Sequence, residues 1–321
     1  MIDLVISPVL QILQMALLLA LAPALTGLVR WVKARLQGRR GPALVQPYRD
    51  LLRLLRKEVV LAHNASWLFR ATPYIVFTSL WLAAGLVPTF STDLALAPTA
   101  DLIALAALLA TARFFLALAG MDVGTSFGGL GASREMMISA LAEPAMLMVI
   151  FTVAILVRST SLAEIANFMM GDGVGLRISL ALSLVALVMV AIAENARIPI
   201  DNPATHLELT MVHEAMVLEY SGRHLALVEA ASMIKLLLYV GLIACVFFPW
   251  GMAIPGGGLT ALAVGLAVFP LKMAAGGVAL AIFETSIAKM RVFRVGEFLG
   301  GALLLSLLAA IFLYVSRGGV L

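Results

Sequence analysis

One cysteine, Cys245, stands in 321 residues. A single thiol excludes an intramolecular disulfide and a four-cysteine iron–sulfur site, so a redox centre has to sit on another chain. Charge is scarce as well. Asp, Glu, Lys and Arg make up 12% of the chain and hydrophobic residues 62%, against about 25% charged in a soluble domain. So few charges cannot wrap so apolar a core, and lipid has to cover much of the surface. Four long runs, Ser7–Val29, Ala71–Phe90, Ile178–Ala193 and Phe298–Ser316, hold no Asp, Glu, Lys or Arg at all. Signals of soluble catalysis are missing too. No Walker sequence occurs, and Gly128-Gly-Leu-Gly131 has no strand before it to make a dinucleotide fingerprint. His213-Glu214 opens like a zinc-protease helix, but Val217 stands where the second histidine belongs. No cleavable signal peptide is expected, because the first apolar stretch is too long for a signal core.

What is present is a series of apolar runs near the roughly 20 residues a bilayer demands. Besides the four above, Leu102–Gly120 carries Arg113, Met136–Val157 carries Glu143, Ala230–Met252 carries Lys235 and Leu259–Ile282 carries Lys272. The sequence therefore predicts an all-α polytopic membrane protein, a single integral domain over 1–321 with about eight transmembrane helices. Ten Lys and Arg fall between Arg30 and Arg70, and others cluster in every second loop. The opposite side holds Arg158, Arg177 and Arg317. By the positive-inside rule the long loops, near 30–70, 121–135, 194–229 and 283–297, face the cytoplasm, and both termini lie outside. The net charge of +4 belongs to this asymmetry, and without a separate basic domain nucleic acid is not an expected partner.

The first loop turns at Gly38-Arg-Arg-Gly-Pro42. From Pro47 the apolar residues Tyr48, Leu51, Leu52, Leu55 and Val59 fall on one helical face and Arg49, Asp50, Arg53, Arg56 and Lys57 on the other. The spacing predicts an amphipathic helix in the interface, either an anchor or a docking surface. A charge at mid-bilayer costs about 2.5–3.5 kcal/mol on insertion scales, so Arg113, Glu143 and Lys235 are expected to be paired or to line a polar path. Glu143 precedes Pro144, which kinks a helix. The densest ionisable stretch runs from Glu194 through Arg197, Asp201, His206, Glu208, His213, Glu214 and Glu219 to Glu229. Asp201-Asn202-Pro203 reads as a helix start and Ser221-Gly222 as its stop, which places Glu208, Val212, Ala215 and Glu219 on one face. Such a carboxylate stripe suits either a hydrated proton funnel or a solvated helix.

Several segments resemble one family in order along most of the chain. Gly38 to Pro42, Gln46-Pro47 and Lys57-Glu58, then Gly131 to Arg134 with Glu143, then Glu194 to Arg197 with Pro199, Asp201 and Glu208, resemble the complex I subunit 1 (H) family. Leu118–Glu135 and Pro203–Gly222 are similar to its group 4 hydrogenase branch, the membrane subunits of the formate hydrogenlyase, hydrogenase-4 and CO-dependent types. Ala204 and His206 stand where complex I subunits tend to have acids, and Glu219-Tyr220 is displaced, departures that argue against carrying over a quinone site.

The resemblance implies a membrane anchor and ion-coupling subunit with no cofactor of its own. It implies a nickel–iron large subunit and an iron–sulfur small subunit as partners, antiporter-like membrane neighbours, and a place in the cell inner membrane. The expected ion path is Glu143, Glu194, Asp201, Glu208, Glu214, Glu219 and Glu229. Arg113, Arg134, Arg197 and Lys235 are the expected charge partners. Arg39, Arg40, Gly41, Pro42, Arg53 and Glu58 are expected to dock the peripheral arm. Two other readings stay open: the quinone-chamber subunit of a respiratory complex I, and a stand-alone secondary transporter.

Overall fold

The computed structural model describes residues 2–171, 177–201, 211–290 and 294–318. Eleven α-helices follow one another there: α1 (Ile2–Leu36), α2 (Gln46–Leu55), α3 (Trp67–Leu86), α4 (Leu102–Asp122), α5 (Ser126–Val157), α6 (Leu162–Met170), α7 (Ile178–Glu194), α8 (His213–Val217), α9 (Gly222–Phe247), α10 (Gly258–Ser286) and α11 (Val295–Gly318). Among the described residues β-structure is limited to two isolated bridges. A helix lies at each of the eight apolar runs. Six of them, α1, α4, α5, α9, α10 and α11, are long and apolar enough to cross a membrane, and α7 is shorter at 17 residues. Ile12, Leu271 and Leu304 are more than half exposed, as lipid-facing side chains are.

The helices pack as a bundle because each buries one stripe against its neighbours. α3 lies between α4 and α9, α11 packs on α5 and α7, and α1 packs on α10 and α9. The loop expected over 121–135 shrinks to Val123–Thr125. Thr125 caps α5 by accepting from Gly128 N at 3.3 Å, and a Cβ on Gly128 would run into the Gly120 carbonyl. Glycines that read as a loop are thus the contact that lets α4 and α5 cross closely. On the far side, Gln14 on α1 donates to the Gly85 and Val87 carbonyls at 2.9 and 3.0 Å, which satisfies acceptors left open at the end of α3.

The amphipathic helix forms as expected, but α2 ends at Leu55 and Val59 lies beyond it. Tyr48 donates its hydroxyl to the Ala20 carbonyl and pins α2 to α1. The helix expected from Asp201 to Ser221 does not run through the described residues. Met211 and Val212 are non-helical and α8 spans five residues. Asp201 instead accepts from Val212 N at 3.2 Å, which draws the ends of that segment together. Positions 202–210, with His206 and Glu208, lie outside the described residues; among the described ones Val212 precedes α8 and Glu219 follows it, so one helical face does not join Val212, Ala215 and Glu219.

Ser221-Gly222 starts α9 rather than stopping α8. Ser221 exchanges hydrogen bonds with Val60 at 2.8 and 2.9 Å. Gly222 has φ +53°, and a Cβ there would meet the Glu58 carbonyl. Gly222→Ala is therefore expected to cost about 1–3 kcal/mol and to free the first loop. A thermal scan of the solubilised protein, with proteolysis between Arg39 and Glu58, checks this; an unshifted midpoint and an uncut loop would contradict it.

Candidate functional site

Four helices bring charge into the middle of the bundle. Arg113 comes from α4, Glu135 and Glu143 from α5, Glu194 from the last residue of α7 and Lys235 from α9. Arg113 is the hub, with its side chain 4% exposed. Its Nη1 donates to Glu143 Oε1 at 3.0 Å and to Ser139 Oγ at 2.8 Å, its Nη2 pairs with Glu194, and its Nε lies 3.6 Å from Glu135. Ser139 donates to Glu143 at 2.7 Å. Lys235 meets the other oxygen of Glu194 at 3.0 Å. The planar guanidinium suits this junction, because it offers five donors in a fixed fork where an ammonium is a single point charge.

A polar cavity of about 640 Å³ opens on the side of the long loops. Arg30, Lys33, Arg39, Arg40 and Pro42 line one wall. Asn195, Arg197, Asp201, His213 and Glu214 line the facing wall, with Glu229 on α9 and Glu284 on α10 closing the floor. Glu284 is buried and bridges two cations, Lys33 at 2.9 Å and Arg197 at 3.5 Å. Lys289 meets Asp201 at 3.0 Å. Burial pulls the Arg197 guanidinium below its ordinary value. The neighbouring Glu284 carboxylate works against that shift and Arg30 adds to it.

The cavity and the charge network touch. Asn195, Ala196, His213, Val228 and Ser232 border the cavity and also a narrow extension of about 40 Å³ whose walls include Arg113, Glu135, Glu194 and Lys235. That space has room for roughly three waters. Beyond Arg113 a further hollow of about 260 Å³, between α4 and α5, is mostly apolar, with Glu143, Glu194 and Tyr239 among its lining. Ionisable groups thus follow one another from the loop side to the bundle face at Glu143, whose side chain is 45% exposed.

The expected residues divide accordingly. Glu143, Glu194, Arg113 and Lys235 meet in the network, while Asp201, Glu214, Glu229 and Arg197 surround the cavity. Arg134 instead donates to the Met211 carbonyl at 2.7 Å, which fastens the approach to α8. Glu219 lies beyond α8 and does not line the cavity. Glu208 lies outside the described residues. In the first loop Arg39 and Arg40 are exposed, Arg53 is exposed and paired with Asp50 at 3.2 Å, and Glu58 is exposed; Gly41 packs on Trp31 and Ala34. Lys272 takes no part in the network. It donates to the Phe248 carbonyl at 2.6 Å and caps the end of α9.

Glu135, Glu284, Lys33 and Lys289 were absent from the expected set. One signal was available: Glu135, Ser139 and Glu143 stand at i, i+4 and i+8, one helical face. No group of three or more His, Cys, Asp or Glu able to hold a metal ion is found among the described residues.

Comparison with known proteins agrees with this architecture. The chain is 34% identical to formate hydrogenlyase subunit 4 of Escherichia coli (strain K12) over 284 residues, 88% of this chain and 90% of that one. Against hydrogenase-4 component C of the same strain it is 34% identical over 278 residues, 87% of each. In fold the chain is similar to a chain of an archaeal respiratory membrane complex, the membrane-bound sulfane sulfur reductase. The TM-score is 0.81 at 20% identity, covering 94% of this chain and 98% of that one. The family model described as NADH dehydrogenase matches residues 9–315, and the chain belongs to that family.

Proposed function

We propose that this chain is the membrane anchor and ion-coupling subunit of a multisubunit membrane-bound nickel–iron hydrogenase of the formate hydrogenlyase or hydrogenase-4 type. The observation that carries the reading is the run of ionisable groups that line, in turn, the loop-side cavity, its narrow extension and the hollow at Glu143. Relatives a third identical over nearly their whole length bear hydrogenase names, which supports it. Electron transfer then takes place on a peripheral arm that holds the nickel–iron centre and the iron–sulfur clusters, docked on Arg39, Arg40, Gly41, Pro42, Arg53 and Glu58.

The chain's own chemistry is proton handling. Glu214, Glu229 and His213 take protons at the cavity. Water in the narrow extension relays them to the network. Arg113 and Lys235 hold Glu194 in place, and Glu143 passes the proton on at the α4–α5 face toward antiporter-like neighbours. The mixed-charge walls of the cavity disfavour a quinone head, which seeks an apolar slot with few polar contacts.

Glu143→Gln tests the reading in the complete complex, reconstituted in liposomes with a pH-sensitive dye inside. The amide keeps the shape and an acceptor for Arg113 but cannot exchange the proton. Hydrogen evolution is expected to persist while acidification falls to the background leak. Undiminished acidification would remove Glu143 from the path, and quinone-dependent electron transfer by the purified complex would replace the hydrogenase reading with the respiratory one.

A further inference from the structure

Another concavity lies beside the ion path. It runs between α7, α9 and α10, has a volume of about 530 Å³, and is walled almost entirely by apolar side chains. It exists because α10 leans on α1 and approaches α9 closely at Gly276, where a Cβ would collide with Val240. Its long axis follows α9 from Leu236 to Phe248, about 18 Å at the helical rise. That is close to one leaflet, half of the roughly 30 Å hydrocarbon core.

An apolar groove of this length suits an extended hydrocarbon chain lying along α9. Charge decides the head. At the loop-side end the groove reaches Asn195 and Arg197, which it shares with the polar cavity. Arg197 has one ion-pair partner among the described residues, Glu284 at 3.5 Å, and five donors to place. An anionic oxygen at the mouth suits them, since guanidinium and phosphate make charge-assisted hydrogen bonds.

We infer that this groove is a binding site for an anionic phospholipid of the leaflet on the long-loop side, its phosphate on Arg197 and Asn195 and one acyl chain along α9. The lipid fills the wall of the bundle and seals the cavity from the bilayer beside Arg197.

The test uses the complete complex in nanodiscs of equal parts phosphatidylglycerol and phosphatidylethanolamine. After extraction in mild detergent and washing, bound lipid is counted by native mass spectrometry. One phosphatidylglycerol per complex is expected, enriched about tenfold or more over phosphatidylethanolamine, as a buried charge-assisted contact implies. Ala279→Trp, which fills the groove, is expected to abolish that retention while hydrogen evolution continues. A benzophenone side chain at position 275 is expected to yield a lipid adduct. Equal retention of both lipids, retention unaffected by Ala279→Trp, or a protein adduct at position 275 would each overturn the inference.

Discussion

Replacing Arg113 by leucine is expected to remove the complex from the membrane rather than to slow it. In the folded chain Arg113 faces three carboxylates, Glu135, Glu143 and Glu194. Lys235 contacts one of them, Glu194. Leucine would leave Glu135 and Glu143 on α5 without the cation that joins them to α4. Breaking a buried ion pair from one side costs about 3–5 kcal/mol. Proteins hold only about 5–15 kcal/mol in total, so one substitution consumes a large part of the margin. Abundance on a native gel and the thermal midpoint of the solubilised complex should both fall sharply.

Two companions separate electrostatics from packing. Arg113→Lys keeps the charge but loses the fork, and its ammonium cannot serve three carboxylates at these distances. It should assemble at reduced stability and couple poorly. The double variant Arg113→Leu/Glu135→Leu removes a charge of each sign and leaves the Lys235–Glu194 pair in place, and well-packed apolar replacements of buried pairs are often near neutral. It should recover part of the lost abundance. Normal accumulation of Arg113→Leu, or a double variant no better than the single, would show that the network does not hold the bundle together.

How much of this was legible in the sequence follows from what lipid enforces. A bilayer demands about 20 apolar residues per crossing, and every run long enough to count became a helix. The 121–135 stretch misled because Gly128, Gly129 and Gly131 look like loop residues in water. In the bundle two of them are contact points, Gly128 on the Gly120 backbone and Gly131 on Met216, while Gly129 faces open space. Ser221-Gly222 misled for a related reason, since a left-handed glycine is most common after a helix. Here the position is set by the Glu58 carbonyl, a contact far away in sequence. The pairing of Glu143 with Arg113 was open to inference, because mid-membrane charges seek partners. That Lys235 chose Glu194 was not, because nothing periodic links α7 to α9. Glu284 stayed hidden because it falls two residues past the apolar run ending at Ile282 and looked solvated. α10 in fact continues to Ser286, and Lys33 and Arg197 close over it.

Glu284 carries the second large effect. Its two oxygens reach Lys33 in the last turn of α1 and Arg197 after α7, so one carboxylate ties three elements at the cavity floor. Glu284→Leu leaves both cations facing the cavity without it. Their side chains are 24% and 15% exposed, so water relieves part of the penalty, and the expected cost is about 3 kcal/mol, the lower end for a broken buried pair. The cavity also becomes more positive by one charge, which opposes the arrival of protons there. Glu284→Gln separates the two consequences. The amide oxygen still accepts from Lys33, so α1 and α10 stay tied, but the charge is gone. The glutamine variant should therefore assemble with a modest loss of thermal stability and translocate fewer protons per hydrogen evolved. The leucine variant should lose both assembly and coupling. If both variants couple normally, the cavity floor lies off the route that protons take, and the carboxylate at position 284 is a strut between helices.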